Sequence, residues 1–154
     1  MIEYVPFEER HIDGLVKVEE ECFNSGYARN TFEKELQNRL AFYIVAEENG
    51  EVLGYAGLWN MCGCADIMNV GVHPIHRRKG IAETMLEKLE IYCNENAIFE
   101  INLEVRVGNI PARTLYRKAG YEEIAVSAGQ RGVQVLLSPN DLRDYVGAVV
   151  TELT

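Results

Sequence analysis

The stretch "HPIHRRKGIAETML", His73 to Leu86, decides how this chain is read. Arg77, Arg78 and Lys79 stand in a row inside a chain of net charge −9, and Gly80 follows at once. Beyond it, Ile81, Met85, Leu89 and Tyr92 recur at the spacing of one buried helical face. The first backbone N–H groups of a helix have no partner in their own helix and carry partial positive charge, so a helix start is a natural anion site. Gly80 gives a ligand close access to the main chain, Ala82 keeps the next turn small, and the three cations add full charges. The segment is not a P-loop, because no earlier glycine has the right offset and no Ser or Thr follows the lysine. It is not a dinucleotide fingerprint either, because the second and third glycines are missing. On its own it reads equally as a solvated basic turn.

Working outward, the flanking elements come in mixed order. "MIEYVPF" alternates as a short first strand, and from Glu8 to Phe23 the residues Ile12, Leu15, Val16, Cys22 and Phe23 share a helical face. "NSGYARN" is a loop, and Asn30 or Thr31 caps a second helix in which Phe32, Leu36 and Leu40 recur. Two β-rich runs flank Asn49-Gly50, a strong hairpin signal, and a further strand runs from about Ala65 to Val72. After the quoted stretch, whose helix runs to about Glu95, "FEINLEVRV" alternates cleanly. Phe99, Ile101, Leu103, Val105 and Val107 fall on one of its faces. Asn109 can cap the next helix, with Pro111 in its first turn and Gly120 as its C-cap. "EEIAVS" and "VQVLLS" form a last hairpin. The fold class is therefore α/β, with a mixed sheet flanked by helices.

Composition limits the function. The 154 residues read as one domain, 1–154, with 139–154 as an extension that fits a short amphipathic helix. No run approaches the ~20 apolar residues of a membrane span, and the acidic N-terminus carries no signal-peptide pattern, so a cytoplasmic protein with reduced cysteines is expected. Excess acid argues against nucleic acid as a partner, since phosphate contact needs a broad basic face. Cys62, Cys64, His73 and His76 lack the spacing of a zinc site, so no metal is expected. His11 reads as a surface residue of the first helix.

Arg77-Arg78-Lys79-Gly80-Ile81-Ala82 resembles the Q/R-x-x-G-x-G/A acetyl-CoA motif of the GNAT N-acetyltransferases. "MNVGVHP" is similar to that family's pantetheine-lining strand, and "LEVRVGNIPARTLYRKAGY" to its later strand and helix. "EECF" and "NTFEKEL" resemble the N-terminal helices of the ribosomal-protein-alanine N-acetyltransferase subgroup. The resemblance implies the GNAT acetyl-CoA-binding fold, with a mostly antiparallel sheet and acetyl-CoA as cosubstrate. It implies that main-chain N–H groups from Arg78, Lys79, Gly80, Ile81, Ala82 and Glu83 hold the pyrophosphate, with Arg77 at the first motif position. It further implies that Val70, Gly71 and Val72 pair with pantetheine and that Asn109 contacts CoA, a role compatible with capping.

Direct acetyl transfer needs an amine that loses a proton, a stabilised carbonyl oxygen and a protonated leaving thiolate. The resemblance implies Glu104 as base, Tyr116 as acid and a main-chain N–H near Val72 as oxyanion donor. From the residues alone, Glu104 reads rather as an outward acid of an alternating strand and Tyr116 as an aromatic packed on the sheet. An ordinary glutamate, of pKa about 4.3, is a poor base for an α-amine near 8 and a poorer one for a lysine near 10.4. Glu104 would need burial or an intervening water, and the α-amine is the closer match. The subgroup's aromatic between its last two strands is missing from "SAGQRGVQ", and its inter-helix tryptophan is replaced, at best, by Tyr27. The expected acceptor is a protein N-terminal α-amine, and these departures leave a small-molecule amine as the alternative. A non-catalytic acetyl-CoA-sensing module is the competing class, and the protein is expected as a monomer or homodimer.

Overall fold

The computed structural model describes residues 1–23, 29–106, 110–126 and 133–137; for Glu104, Arg106, 122–126 and 133–137 it describes the backbone alone. Tyr27, Asn109, the "AGQRG" connection and the tail from Pro139 lie outside the described residues. The elements follow the expected order: β1 (Glu3–Pro6), α1 (Ile12–Phe23), α2 (Arg29–Gln37), β2 (Ala41–Glu48), β3 (Glu51–Met61), β4 (Cys64–Val72), α3 (Ile81–Glu95), β5 (Glu100–Arg106), α4 (Ile110–Lys118), β6 (Glu122–Val126) and β7 (Val133–Leu137). The chain divides into two compact units.

The first unit, Met1–Trp59 and Met68–Ile91, holds β1, β2, most of β3, the second half of β4, α1, α2 and most of α3. β1 pairs with β2 and β2 with β3, both antiparallel. The β2–β3 turn places Asn49 and Gly50 at φ 52° and 81°, the left-handed pair that a two-residue hairpin needs. Ile12, Leu15 and Val18 of α1 bury against Phe32, Tyr43, Val45 and Tyr55. The Phe32 ring meets Tyr55 edge-on at 5.6 Å, and Tyr43 stacks on Tyr55 at 6.3 Å. On α3, Ile81, Met85, Leu86 and Leu89 are buried.

Two expectations fail in this unit. α2 ends at Gln37, and Leu40 lies beyond it in a turn, exposed, where it extends no helical face. His11 is 1% exposed, not a surface residue. It closes a 3-10 turn (Glu9–His11) ahead of α1. Its Nδ1 accepts from the Glu8 N–H at 2.9 Å, which leaves Nε2–H to donate to Glu47 Oε2 at 3.1 Å. Arg10 grips the same carboxylate through two bonds, at 2.8 and 2.9 Å. The Arg10 hydrogen bonds lower the Glu47 pKa against an opposing desolvation.

The second unit, Asn60–Ile67 and Tyr92–Thr154, holds the β3–β4 turn, the start of β4, the end of α3, β5, α4, β6 and β7. β4 and β5 run parallel from Cys64–Glu100 to Ile67–Leu103. β5 pairs antiparallel with β7, and β7 with β6, so the last strand lies between its two neighbours. Ile101, Leu103 and Val105 are buried as the alternation requires, whereas Phe99 precedes the strand and is 61% exposed.

Candidate functional site

In the first unit, the β4–α3 connection gathers the residues expected to hold an anion. Val72 ends β4, a 3-10 turn covers Pro74–His76, and α3 starts at Ile81. Arg78 and Gly80 both adopt left-handed backbone, at φ 63° and 74°. Such a turn of main-chain N–H groups makes an anion-binding concavity. The first bonds inside the helix are those of Thr84, whose N–H and hydroxyl both donate to the Gly80 carbonyl, at 3.0 and 2.9 Å. The N–H groups of Ile81, Ala82 and Glu83 lie ahead of that first bond. A Cβ at Gly80 would meet nothing within 4 Å, so the space over the helix start is open. Buried Ile81, Met85 and Leu89 fix this end of α3.

The three cations divide their work. All three are exposed, and Lys79 Nζ lies 3.4 Å from His76 Nδ1. Arg77 turns back onto the strand: its Nε donates to the Val72 carbonyl at 3.0 Å, and its Nη2 reaches Cys22 Sγ at 3.5 Å. The Cys22 thiol donates to the same carbonyl at 3.2 Å. Burial pushes this thiol up, against the opposing pull of Arg77, so it keeps the proton it donates. The His73 N–H donates to the Leu53 carbonyl at 2.8 Å, so it is not the spare oxyanion donor expected near Val72. Gly71 is a close-approach position: a Cβ there would meet Phe23 Cε2 at 3.2 Å, with Tyr55 Cε1 and Val18 Cγ1 at 3.6 Å. Beneath it, the Tyr55 hydroxyl donates to the buried Glu19 carboxylate.

In the second unit, Glu104 sits in β5 opposite Val135 of β7, between buried Leu103 and Val105. Tyr116 lies in the last turn of α4, 8% exposed, and packs edge-on against Tyr121 with ring centroids 6.0 Å apart. Burial pushes its phenol from 10.0 up to about 12. Gly120, at φ 94°, ends the helix: its N–H donates to the Arg117 carbonyl and the Tyr121 N–H to the Tyr116 carbonyl. These two bonds form a Schellman stop.

The sequence pointed to the loop glycine, the helix start and Tyr116, but not to Cys22, Glu19 or the inward turn of Arg77. No spacing rule links a thiol on α1 to a carbonyl fifty residues later. Among the described residues, no group of three or more His, Cys, Asp or Glu could hold a metal ion, and no helix is long and apolar enough to cross a membrane.

Comparison with known proteins shows the family. Residues 12–121 match the family described as acetyltransferase (GNAT). A Bacillus subtilis protein, provisionally named a ribosomal protein bS18-alanine N-acetyltransferase, is 35% identical over 112 residues, which span 72% of this chain and 74% of that one. An N-alpha-acetyltransferase of Saccharolobus solfataricus is 30% identical over 132 residues, spanning 77% and 78%. Among solved structures, the PaiA N-acetyltransferase of Thermoplasma acidophilum, in complex with coenzyme A, aligns at TM-score 0.80 and 17% identity. That alignment spans 90% of this chain and 98% of that one, and it shows likeness of fold.

Proposed function

The chain belongs to the acetyltransferase (GNAT) family and is an acetyl-CoA-dependent N-acetyltransferase, and from that premise we propose that its acceptor is the α-amine of a protein N-terminus. The open helix start at Gly80 carries the donor half of this reading. The names of the Bacillus and Saccharolobus relatives, both for N-terminal or alanine acetylation, support the acceptor half. So does acidity, because an α-amine near pKa 8 is easier for a carboxylate to deprotonate than a lysine near 10.4.

The roles follow. The N–H groups of Arg78 to Glu83 hold the pyrophosphate, with Arg78 and Lys79 supplying charge. The main chain of Val70, Gly71 and Val72 pairs with pantetheine, and Asn109 contacts CoA. Glu104 takes the proton of the attacking amine, directly or through water, as the C–N bond forms and the C–S bond breaks. Tyr116 serves the departing sulfur. A phenol near 12 holds its proton firmly, while a thiol titrates near 8.5. Full transfer would therefore run uphill by roughly 3 to 4 pK units. Tyr116 acts by donating a hydrogen bond that strengthens as charge grows on sulfur, and solvent completes the protonation.

Thiol release from acetyl-CoA over a panel of N-terminal peptides, lysine peptides and small amines tests the acceptor. N-terminal peptides should exceed both other classes in kcat/KM by about 100-fold or more, the size of effect that positioning an acceptor commands. A small amine turned over as well as any peptide would overturn the acceptor reading. Glu104→Gln should cut kcat by about 100-fold or more at unchanged acetyl-CoA affinity. Unchanged turnover at every pH would remove Glu104 from the mechanism.

A further inference from the structure

The end of β4 is pinned from three sides within the first unit. The Val72 carbonyl accepts from Arg77 Nε at 3.0 Å and from the Cys22 thiol at 3.2 Å. The other half of the same peptide, the His73 N–H, is held by Leu53 of β3 at 2.8 Å. Arg77 Nη2 reaches Cys22 Sγ as well, so the guanidinium fork closes a small ring of α1 thiol, β4 carbonyl and loop cation. Arg77 itself is extended, at φ −69° and ψ 161°, and closes the 3-10 turn Pro74–His76. A guanidinium is suited to this because its donors are fixed in one plane and can serve two acceptors at once; a lysine offers one mobile point charge. The Val72 peptide therefore cannot rotate without breaking contacts to α1, to β3 and to the loop.

We infer that Arg77 and Cys22 are positioning residues for the pantetheine arm of the acetyl donor, acting through the Val72 peptide rather than by touching the phosphates. This rests on the reading of Val70–Val72 as the main chain that pairs with pantetheine. All three cations are exposed, but Arg77 Nε and Nη2 are spent on Val72 and Cys22, whereas Lys79 Nζ lies against His76 beside the open helix start. The first cation of the run thus sets strand geometry, and the next two supply charge. The distinction has a consequence that a phosphate ligand would not show. Loss of Arg77 must weaken a donor that has no phosphate at all.

The experiment compares acetyl-CoA with S-acetylpantetheine, the same thioester arm without nucleotide or phosphate, in steady-state thiol release by the full chain. Arg77→Met should raise KM for both donors by a similar factor, about 10-fold or more for one charge-assisted bond, with kcat changed less than about 3-fold. Cys22→Ser, whose hydroxyl can still donate to Val72, should stay within about 2-fold of wild type, while Cys22→Val loses about 3- to 10-fold for both donors. Should Arg77→Met fail to fold, Arg77→Lys, which keeps the charge and loses the fork, carries the same comparison. A rise in KM confined to acetyl-CoA would make Arg77 a phosphate ligand and overturn the proposal. So would Cys22→Val indistinguishable from wild type. Wild-type protein with no saturable response to either donor would remove the acetyl-CoA reading itself, a result separate from both.

Discussion

Burial of Tyr116 makes a quantitative prediction about alkaline stability. The phenol moves from 10.0 to about 12 on folding because its charged form is expelled from the interior. Its folded pKa is thus raised, so its contribution to stability is complete below pH ~10 and is lost as pH climbs toward 12. Each unit of separation is worth about 1.36 kcal/mol, so the whole contribution is about 2.7 kcal/mol. By pH 11.5 about 2 kcal/mol of it should be gone. The perturbation is Tyr116→Phe, which keeps the ring edge-on to Tyr121 and removes only the titrating hydroxyl. Urea unfolding of both proteins, followed by circular dichroism in steps from pH 8 to 11.5, isolates the effect, because every other titration is common to the pair and cancels. Wild type should lose stability faster than the variant by about 1.1 kcal/mol per pH unit between pH 10.5 and 11.5. A difference flat to within about 0.5 kcal/mol would show that the phenol does not titrate in a dry environment. The same variant reports on chemistry. If Tyr116 hydrogen-bonds the departing sulfur, kcat should fall about 100- to 1,000-fold, with KM for acetyl-CoA within about 3-fold. Unchanged kcat would leave it as a packing residue.

Other outcomes follow from the loop and from the cluster around His11. Gly80→Asn tolerates the left-handed backbone, so it should cost little stability. Its side chain would enter the open space over the helix start and weaken CoA binding, read by calorimetry; unaltered affinity would refute the placement of the pyrophosphate. His11→Ala removes the acceptor of the Glu8 N–H and one of the two donors to Glu47 Oε2, the other being Arg10, and should lower the unfolding free energy by about 2–4 kcal/mol in urea; a loss under about 0.5 would contradict a contribution of these buried bonds. Glu47 has a lowered pKa, so its stabilisation is present above its unfolded value and fades as pH falls through the folded one. Relative to Glu47→Gln, wild type should therefore lose its advantage below pH ~4.5, and parallel acid-unfolding curves would count against the Arg10–Glu47–His11 cluster.

Sequence patterns revealed most elements because each carried its own local signal. Asn49-Gly50 marked one hairpin, Gly120 one helix end, and the alternation of Ile101, Leu103 and Val105 one strand. The failures are places where distant partners override local preference. His11 looks polar in its helix, and only the buried Glu47 carboxylate, supplied by β2, makes its burial favourable. Leu40 kept a helical spacing after the helix had stopped, because an apolar residue at the right interval carries no information on where the backbone turns. In the candidate site, the open approach to the main chain at Gly80 was legible because φ and access are local properties. The inward turn of Arg77 was not, because its acceptors lie on α1 and β4.

The Schellman stop at Gly120 has a bearing on how the gene can change. The carbonyl that receives the Tyr121 N–H belongs to Tyr116, so this phenol is counted from the end of its helix and not from its beginning. One residue inserted between Tyr116 and Gly120 would swing the side chain by about 100° around the helix axis, whereas residues added ahead of Ile110 would leave it indexed to the same stop. Length variation in this part of the chain should therefore accumulate before the helix, and a scan of single-residue insertions should find its sharpest boundary at Tyr116.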